Sequence, residues 1–476
     1  MEVPMAKILM VASEANPFAK AGGLGDVVGG LAAALGERGE EVAVVLPRYR
    51  SVPLENARRV WDDLRVWLGP AHYPASAFQV VERQVSYYLI DCPALYDRDG
   101  IYGGASGDFP DNHIRFAALS QAALAVVRHL FRPQVLHCHD WQTALAPLYI
   151  HTRWRTDPTF FGLKTLLTIH NLGYQGLYPK EILPAIGLDD TVFYPDQLEF
   201  HGKVNLLKGG IRYSDALNAV SLTYAREIQT PELGFGLESL LRARSDALSG
   251  ILNGVDYAEW DPQTDPHLTA NYSAADLSGK RASKADLLSE FGLPAENLDR
   301  PLAGIVARLD SQKGFDLIEE VACELAAEDF CLVTLGTGDP KCERFLQGWA
   351  AVNPEKIAVR IAYDNRLAHK IEAGCDLFLM PSRYEPCGLS QMYSLRYGTV
   401  PVVRATGGLE DTVDEETGFK FREYTGAALL EALRAALAAF RDRERWTAMM
   451  RRGMAKDFSW NAPAAEYAAL YRRLAG

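Results

Sequence analysis

Short apolar runs alternate with amphipathic stretches along this chain, once in each half, and few architectures accept that rhythm. In the first half the runs are KILMVAS (7–13), EVAVVLP (41–47), SYYLID (86–91), QVLHCHD (134–140) and KTLLTIH (164–170). Helix-period segments such as 26–38 and 112–131 separate them. Continuous apolar runs suit strands buried on both faces, and strands joined through helices run parallel. The expected fold class is therefore α/β, a doubly wound sheet with helices on both faces. The rhythm fades near Asn253. From Trp260 to Pro301 the chain is polar and proline-containing without strong strands, and reads as the connection into a second domain. A second series follows: LAGIVARL (302–309), FCLVTLG (330–336), KIAVRI (356–361), CDLFLMPS (375–382) and TVPVVR (399–404). The segment from Arg441 reads as helix and closes with WNAPAAEYAALYRRL (460–474). With 476 residues the chain exceeds what one core holds, so two domains are expected, at 1–250 and 251–459.

Composition narrows the function. The formal charge is −12, from 49 basic and 61 acidic side chains, which disfavours general nucleic-acid binding. An anion can still bind wherever basic groups gather locally. No run of 18 or more apolar residues occurs, and the N-terminus lacks a basic head with a long apolar stretch. The seven cysteines show no paired spacing and read as reduced thiols. A cytoplasmic protein without a membrane partner is expected.

Ligands of doubly wound sheets bind beyond the carboxyl ends of strands, and five motifs fall there. KAGGLGDV (20–27) follows the first strand and opens a helix. Its glycines admit close backbone approach, free N–H groups at a helix start attract an anion, and Lys20 adds charge. A tight turn needing glycine is the plainer reading. The glycine spacing (22, 23, 25, 29, 30) is not the dinucleotide fingerprint. ARLDSQKG (307–314) brings Arg308 and Lys313 to a strand end, a pattern suited to a diphosphate or simply to solvated charge. PSRYEPCGLSQ (381–391) sets Glu385 before a helix expected to begin near Gly388. The N–H groups of Gly388, Leu389 and Ser390 would then be unpaired, and a carboxylate beside them can hold a sugar next to a phosphate. A helix-start acid is the plainer reading of Glu385, and a small buried hydrophobe that of Cys387.

TIHNLGYQG (168–176) ends a strand at His170 and continues through Asn171 in a glycine-rich loop. That pair can hydrogen-bond sugar hydroxyls, or His170 can be structural. HCHDW (137–141) puts His137 and His139 on one strand face, a possible metal pair, but no second cluster of ligand spacing follows and no metal is expected. Asp140 and Trp141 at that strand end could meet a sugar acceptor. Tyr363, after the 356–361 run, faces a nucleotide base or belongs to the core.

Together KAGGLGDV, HCHDWQT, TIHNLGYQG, ILNGVDYAEWDP, ARLDSQKG, SRYEPCGLSQ and RATGGLEDTV resemble the blocks of bacterial glycogen synthases, with plant starch synthases as relatives. They stand in that family's order and span nearly the whole chain. The resemblance implies a GT-B architecture, two Rossmann-like domains facing across a cleft, with the final helix (460–476) crossing back onto the first. It implies retaining transfer of glucose from ADP-glucose to an α-1,4-glucan, with ADP-glucose as substrate and no cofactor. Lys20 and Gly23 then resemble donor contacts, and Arg308 and Lys313 a diphosphate clamp. Gly388, Leu389 and Ser390 resemble phosphate donors. His170, Asn253, Glu385 and Cys387, with Asn171 beside them, resemble the group around the transferred glucose, and Asp140 a carboxylate of the catalytic cleft. Two positions depart from the family pattern, Ala21 and Ser390, and neither removes a charge or a glycine. Where many retaining transferases of this architecture carry a second Glu eight residues after the first, this chain has Tyr393, as the glycogen synthase branch does. Three rivals stand beside this reading: a UDP-glucose-using or phosphorylase-like transferase, a non-catalytic glucan-binding protein, and a metal-dependent hydrolase built on His137 and His139.

Overall fold

Ile8 to Val11 are fully buried, as a continuous apolar run demands of a strand covered on both faces. The computed structural model describes residues 5–104 and 107–476. The chain divides into two compact units. One runs to Val220 and takes in Ala225–Gly254 and Trp460–Gly476; the other comprises Ser221–Tyr224 and Val255–Ser459.

In the first unit the central strand Lys7–Val11 pairs in parallel with Glu41–Pro47 on one side and Val135–His139 on the other. Lys164–Ile169, Ala216–Ala219 and Leu248–Gly250 extend the sheet beyond Val135–His139, and Val85–Asp91 extends it beyond Glu41–Pro47. Strand order therefore reverses between Lys7–Val11 and Val135–His139, and the loops after Val11 and His139 flank that reversal. Past Val85–Asp91 the sheet turns antiparallel through Ala71–Glu82 and Arg58–Leu68. Nothing in the apolar rhythm announced this hairpin. Pro74 interrupts one strand, and the other carries Arg58, Arg59, Asp62, Asp63 and Arg65, with only Leu64, Val66 and Leu68 buried near its end.

The terminal helix Asn461–Ala475 packs against Gly23–Glu37 and Val135–His139 in this unit, burying Tyr467 and Tyr471 completely. Gly30 permits the approach, since a Cβ there would lie 2.2 Å from Trp460 Nε1.

The second unit holds six parallel strands in the order Ile357–Ile361, Cys331–Gly336, Leu302–Val306, Leu377–Met380, Val400–Arg404, Phe419–Phe421. Here the order reverses between Leu302–Val306 and Leu377–Met380. The expected connector at 260–301 is not a plain linker. It contains the helix Ser278–Phe291, which packs on Asn365–Gly374. Lysines on its buried face hid it from a hydropathy reading. Lys280 Nζ donates to the carbonyls of Ala373 and Tyr397 (3.0 Å each) and to Thr399 Oγ1 (2.7 Å). Lys284 Nζ donates to Arg300 O and Asp376 Oδ2, both at 2.6 Å. Ammonium groups bonded in this way can stand in a core that would reject them unpaired.

Candidate active site

In the second unit the chain leaves Leu302–Val306 through Arg308 and tightens into the 3₁₀ turn Ser311–Lys313, capped by the Asp310 carboxylate on the N–H of Gln312 (3.0 Å) and of Lys313 (3.3 Å). Gly314 follows at φ +78°, where a Cβ would lie 2.0 Å from Pro381 O. Only glycine fits that position, and its close approach joins the loops after the two strands at the order reversal. The result is a contact between residues 72 apart in sequence. Lys313 Nζ donates to Glu385 Oε1 at 2.9 Å and Oε2 at 2.7 Å. Ser382 Oγ adds a bond to Oε2 at 2.9 Å, and Glu385 is only 5% exposed. Glu385 is thus an ion-paired carboxylate and not a solvated helix-start acid. Arg308 is exposed, with its guanidinium 3.3 Å from Asp310 and from Gln312 Oε1.

The helix expected from Gly388 begins later, as Ser390–Arg396 with Leu389 at its cap position. Gly388 adopts φ +70°, a left-handed turn that cannot belong to the helix. Cys387 is buried, and its carbonyl and that of Gly388 accept from Gln391 Nε2 at 3.0 Å. The sequence reading gave RATGGLEDTV no role. In the structure a Cβ on Gly407 (φ +46°) would lie 1.8 Å from Glu385 O, and one on Gly408 2.0 Å from Cys387 O, while Gly408 N–H donates to Glu385 O at 3.1 Å. Paired glycines outside a turn were the available signal for that close approach. Tyr393 stacks on Trp260 (centroids 3.9 Å apart), whose other face carries His369 at 3.7 Å. Tyr363 is 72% exposed, which removes its core reading.

In the first unit the helix Gly23–Glu37 begins after Gly22, as KAGGLGDV suggested. Two of the amides expected to attract a ligand anion are already held. Ala21 N–H (2.5 Å) and Gly22 N–H (2.9 Å) donate to Glu14 Oε2, a buried carboxylate that also receives the Tyr102 hydroxyl. Burial raises the Glu14 pKa above the usual carboxylate range. Lys20 is 2.7 Å from Asp26. Gly23 is exposed at the helix start.

Asp140 sits at φ +56°, and its Oδ1 accepts from the N–H groups of His170 (2.7 Å) and Asn171 (3.4 Å). Burial pushes its carboxyl up to about 7. His139 Nδ1 lies 3.0 Å from His170 Nε2. His137 lies against His139 with ring centroids 4.1 Å apart, its Nδ1 2.8 Å from the Tyr471 hydroxyl and its Nε2 2.7 Å from Thr168 Oγ1. Both nitrogens of His137 are engaged, so the metal-pair reading fails on chemistry, and no three potential ligands gather among the described residues. Burial keeps these rings neutral: it lowers His170 to about 3 and His137 and His139 well below their ordinary value. Trp141 is no acceptor platform. It is buried edge-on to Phe116 (5.2 Å), with Gly176 against its ring. Asn253 is buried in this unit and not in the second, and its Oδ1 has no hydrogen-bond partner among the described residues.

Proteins called glycogen synthase from Koribacter versatilis and from an Anaeromyxobacter species are 50% and 51% identical to this chain. The alignments cover 98% of the chain and 98% and 99% of those proteins. The chain belongs to the glycogen synthase family. It is a glycosyltransferase with the two-domain GT-B fold of parallel sheets. Residues 7–243 match the family model described as starch synthase catalytic domain, and 291–452 that of glycosyl transferases group 1. A solved catalytic domain of starch synthase IV from Arabidopsis thaliana, bound to ADP and acarbose, is 33% identical. It matches 99% of this chain and 100% of its own with a TM-score of 0.92. Sucrose-phosphate synthase from Thermosynechococcus elongatus, 19% identical over 98% of each chain with a TM-score of 0.60, shares the fold. Membership of the glycogen synthase family accounts for a mainly parallel sheet in each unit and for the motif order. No helix among the described residues is long and apolar enough to cross a membrane.

Proposed function

We propose that the enzyme transfers glucose, with retention, from ADP-glucose to the non-reducing 4-hydroxyl of an α-1,4-glucan. The observation that carries this reading is the Lys313–Glu385 contact at the strand-order reversal of the second unit. An ammonium has three N–H donors, and Glu385 takes two. The third is left for a phosphate oxygen, so the cation is oriented before substrate arrives. Arg308 and the amides of Gly388, Leu389 and Ser390 are assigned to the same diphosphate, Tyr363 to the base, and Cys387 to the surroundings of the sugar. From the first unit, Lys20, Gly23, His170, Asn171, Asn253 and Asp140 are assigned to substrate contact. The ADP bound to the starch synthase relative supports the donor, and the family supports the glucan acceptor.

Breaking the bond from glucose C1 to the diphosphate sends an electron pair to the phosphate oxygen and leaves oxocarbenium character on the sugar. Lys313 and Arg308 offset the first charge. Glu385 steadies the second. A retaining hydrolase sets a nucleophilic carboxylate about 5 Å from its acid partner. Glu385 is bound instead to a lysine and a serine, and the position eight residues on is the stacked Tyr393. The acceptor oxygen therefore attacks from the face the diphosphate leaves, forming the new C1–O bond while the departing oxygen takes its proton. A trapped glucosyl adduct on Glu385 or Asp140 would overturn this route. We assign no metal and no cofactor, and expect full activity after exhaustive chelation. Seven free thiols support a reducing, cytoplasmic setting.

The test is turnover on glycogen with ADP-glucose, UDP-glucose and glucose 1-phosphate side by side. ADP-glucose is expected to be the fastest donor. A preference for UDP-glucose or glucose 1-phosphate would reassign the donor, and binding of glucan without turnover of any donor would reduce the protein to a binding module.

A further inference from the structure

The contact between His139 and His170 decides more than packing. Their facing nitrogens, 3.0 Å apart, share a single proton when both rings are neutral. His139 is fully buried, and its other nitrogen, Nε2, has no hydrogen-bond partner among the described residues. An orphaned buried N–H is rarer and costlier than an unpaired acceptor. The arrangement with the lower cost puts the His139 proton on Nδ1, where it is donated to His170 Nε2. The residue is held there: its backbone N–H donates to Thr143 Oγ1 at 2.7 Å, and its ring lies against that of His137, itself fixed by Tyr471 and Thr168.

We propose that His139 is a positioning residue that locks His170 in the tautomer protonated on Nδ1. The nitrogen of His170 left for a ligand is then a donor and not a lone pair. Which ring nitrogen carries the proton is set by the bond the other one makes, and here that bond is built into the sheet. A half-buried histidine presenting an N–H is suited to an acceptor atom, a sugar hydroxyl oxygen or a phosphate oxygen, and rejects a ligand that offers only a donor. The kinetic consequence rests on the assignment of His170 to substrate contact; the tautomer itself does not.

The experiment is two-bond ¹H–¹⁵N correlation on the full chain labelled with ¹⁵N-histidine and free of substrate, with the His170 signals assigned from their loss in His170→Asn. The expected spectrum shows His170 protonated on Nδ1. In His139→Phe it should shift to a mixture or to the Nε2-protonated form that a free side chain favours, while His139→Asn, which keeps a donor near the Nδ1 position, should restore the original signals. Wild-type His170 protonated on Nε2, or an unchanged tautomer in His139→Phe, overturns the proposal. The wild-type spectrum decides by itself if His139→Phe does not fold. In turnover, His139→Phe is expected to lose about ten- to hundredfold, as the loss of a partner that orients a histidine does at metal sites, with His139→Asn recovering most of it. Should the tautomer behave as expected while turnover is unmoved, the assignment of His170 to substrate fails and the lock stands.

Discussion

Where strand order reverses in the second unit, a lysine and a glutamate meet as ions; beside the same reversal in the first, three histidines meet as neutral rings. Both arrangements follow from one sheet topology, and each loop set is drawn together by close backbone approach or buried hydrogen bonds. On the proposed assignments, the difference in chemistry matches a difference in task. A leaving diphosphate accumulates charge, and fixed ions answer charge best when already oriented. Sugar hydroxyls gain none, and neutral donors and acceptors of fixed direction discriminate them through the cost of leaving a buried group unpaired.

Lys313→Ala tests the ionic half and should have the largest effect. It leaves Glu385 buried without its cation, and turnover should fall by roughly a thousandfold, at least as strongly as donor binding weakens. A change confined to the Michaelis constant would deny Lys313 a role on developing charge. Gly407→Ala probes the backbone under that pair. Its Cβ meets Glu385 O at 1.8 Å and its φ is positive, so the Glu385 loop must shift. Displacement on that scale should cost about a hundredfold in kcat/KM. Unchanged kinetics with an intact melting temperature would show that the loop position is not demanding.

The neutral half should yield to hydrogen-bond changes. Tyr471→Phe strips the hydroxyl from buried His137 Nδ1 and should cost about 1–3 kcal/mol of stability, a few degrees of melting temperature, with a smaller change in kcat. The smallest effect concerns pH. The three histidines have lowered pKa values when folded, so their unfolded forms bind protons below about pH 6.5 and stability falls as pH drops. Asp140 works the other way. Its folded carboxyl, raised to about 7, holds a proton that the unfolded chain releases above about pH 4, so its share of stability rises as pH drops. Asp140→Asn should therefore steepen the acid-side loss between about pH 5 and 6.5 in melting curves; a shallower slope would contradict the sign.

Much of this was legible in the residues. Runs such as KILMV and CLVTLG are buried strands because, past Lys7, their side chains are almost wholly apolar. Lys313 and Glu385 could be placed at strand ends, but not in contact, because the residue that joins their loops is Gly314, whose cramped backbone carries no chemistry of its own. The hairpin Arg58–Leu68 and Ala71–Glu82 escaped notice because charge and proline mask a half-buried edge. The helix Ser278–Phe291 escaped because lysines fill its inner face. Trp141 at a strand end resembled a sugar platform, but the Phe116 and Tyr178 rings and the loop at Gly176 around it make it core. Tyr471 meets His137 across 334 residues, a distance over which no pattern in the sequence speaks.

The most direct test of the account follows the transferred carbon. Incubation with ADP-glucose carrying ¹³C at C1 and a maltooligosaccharide acceptor, read by ¹³C NMR, should give only α-1,4-linked label, with one ADP released per linkage and no glucose set free. Label in a β-linkage, or free glucose as the main product, would contradict it.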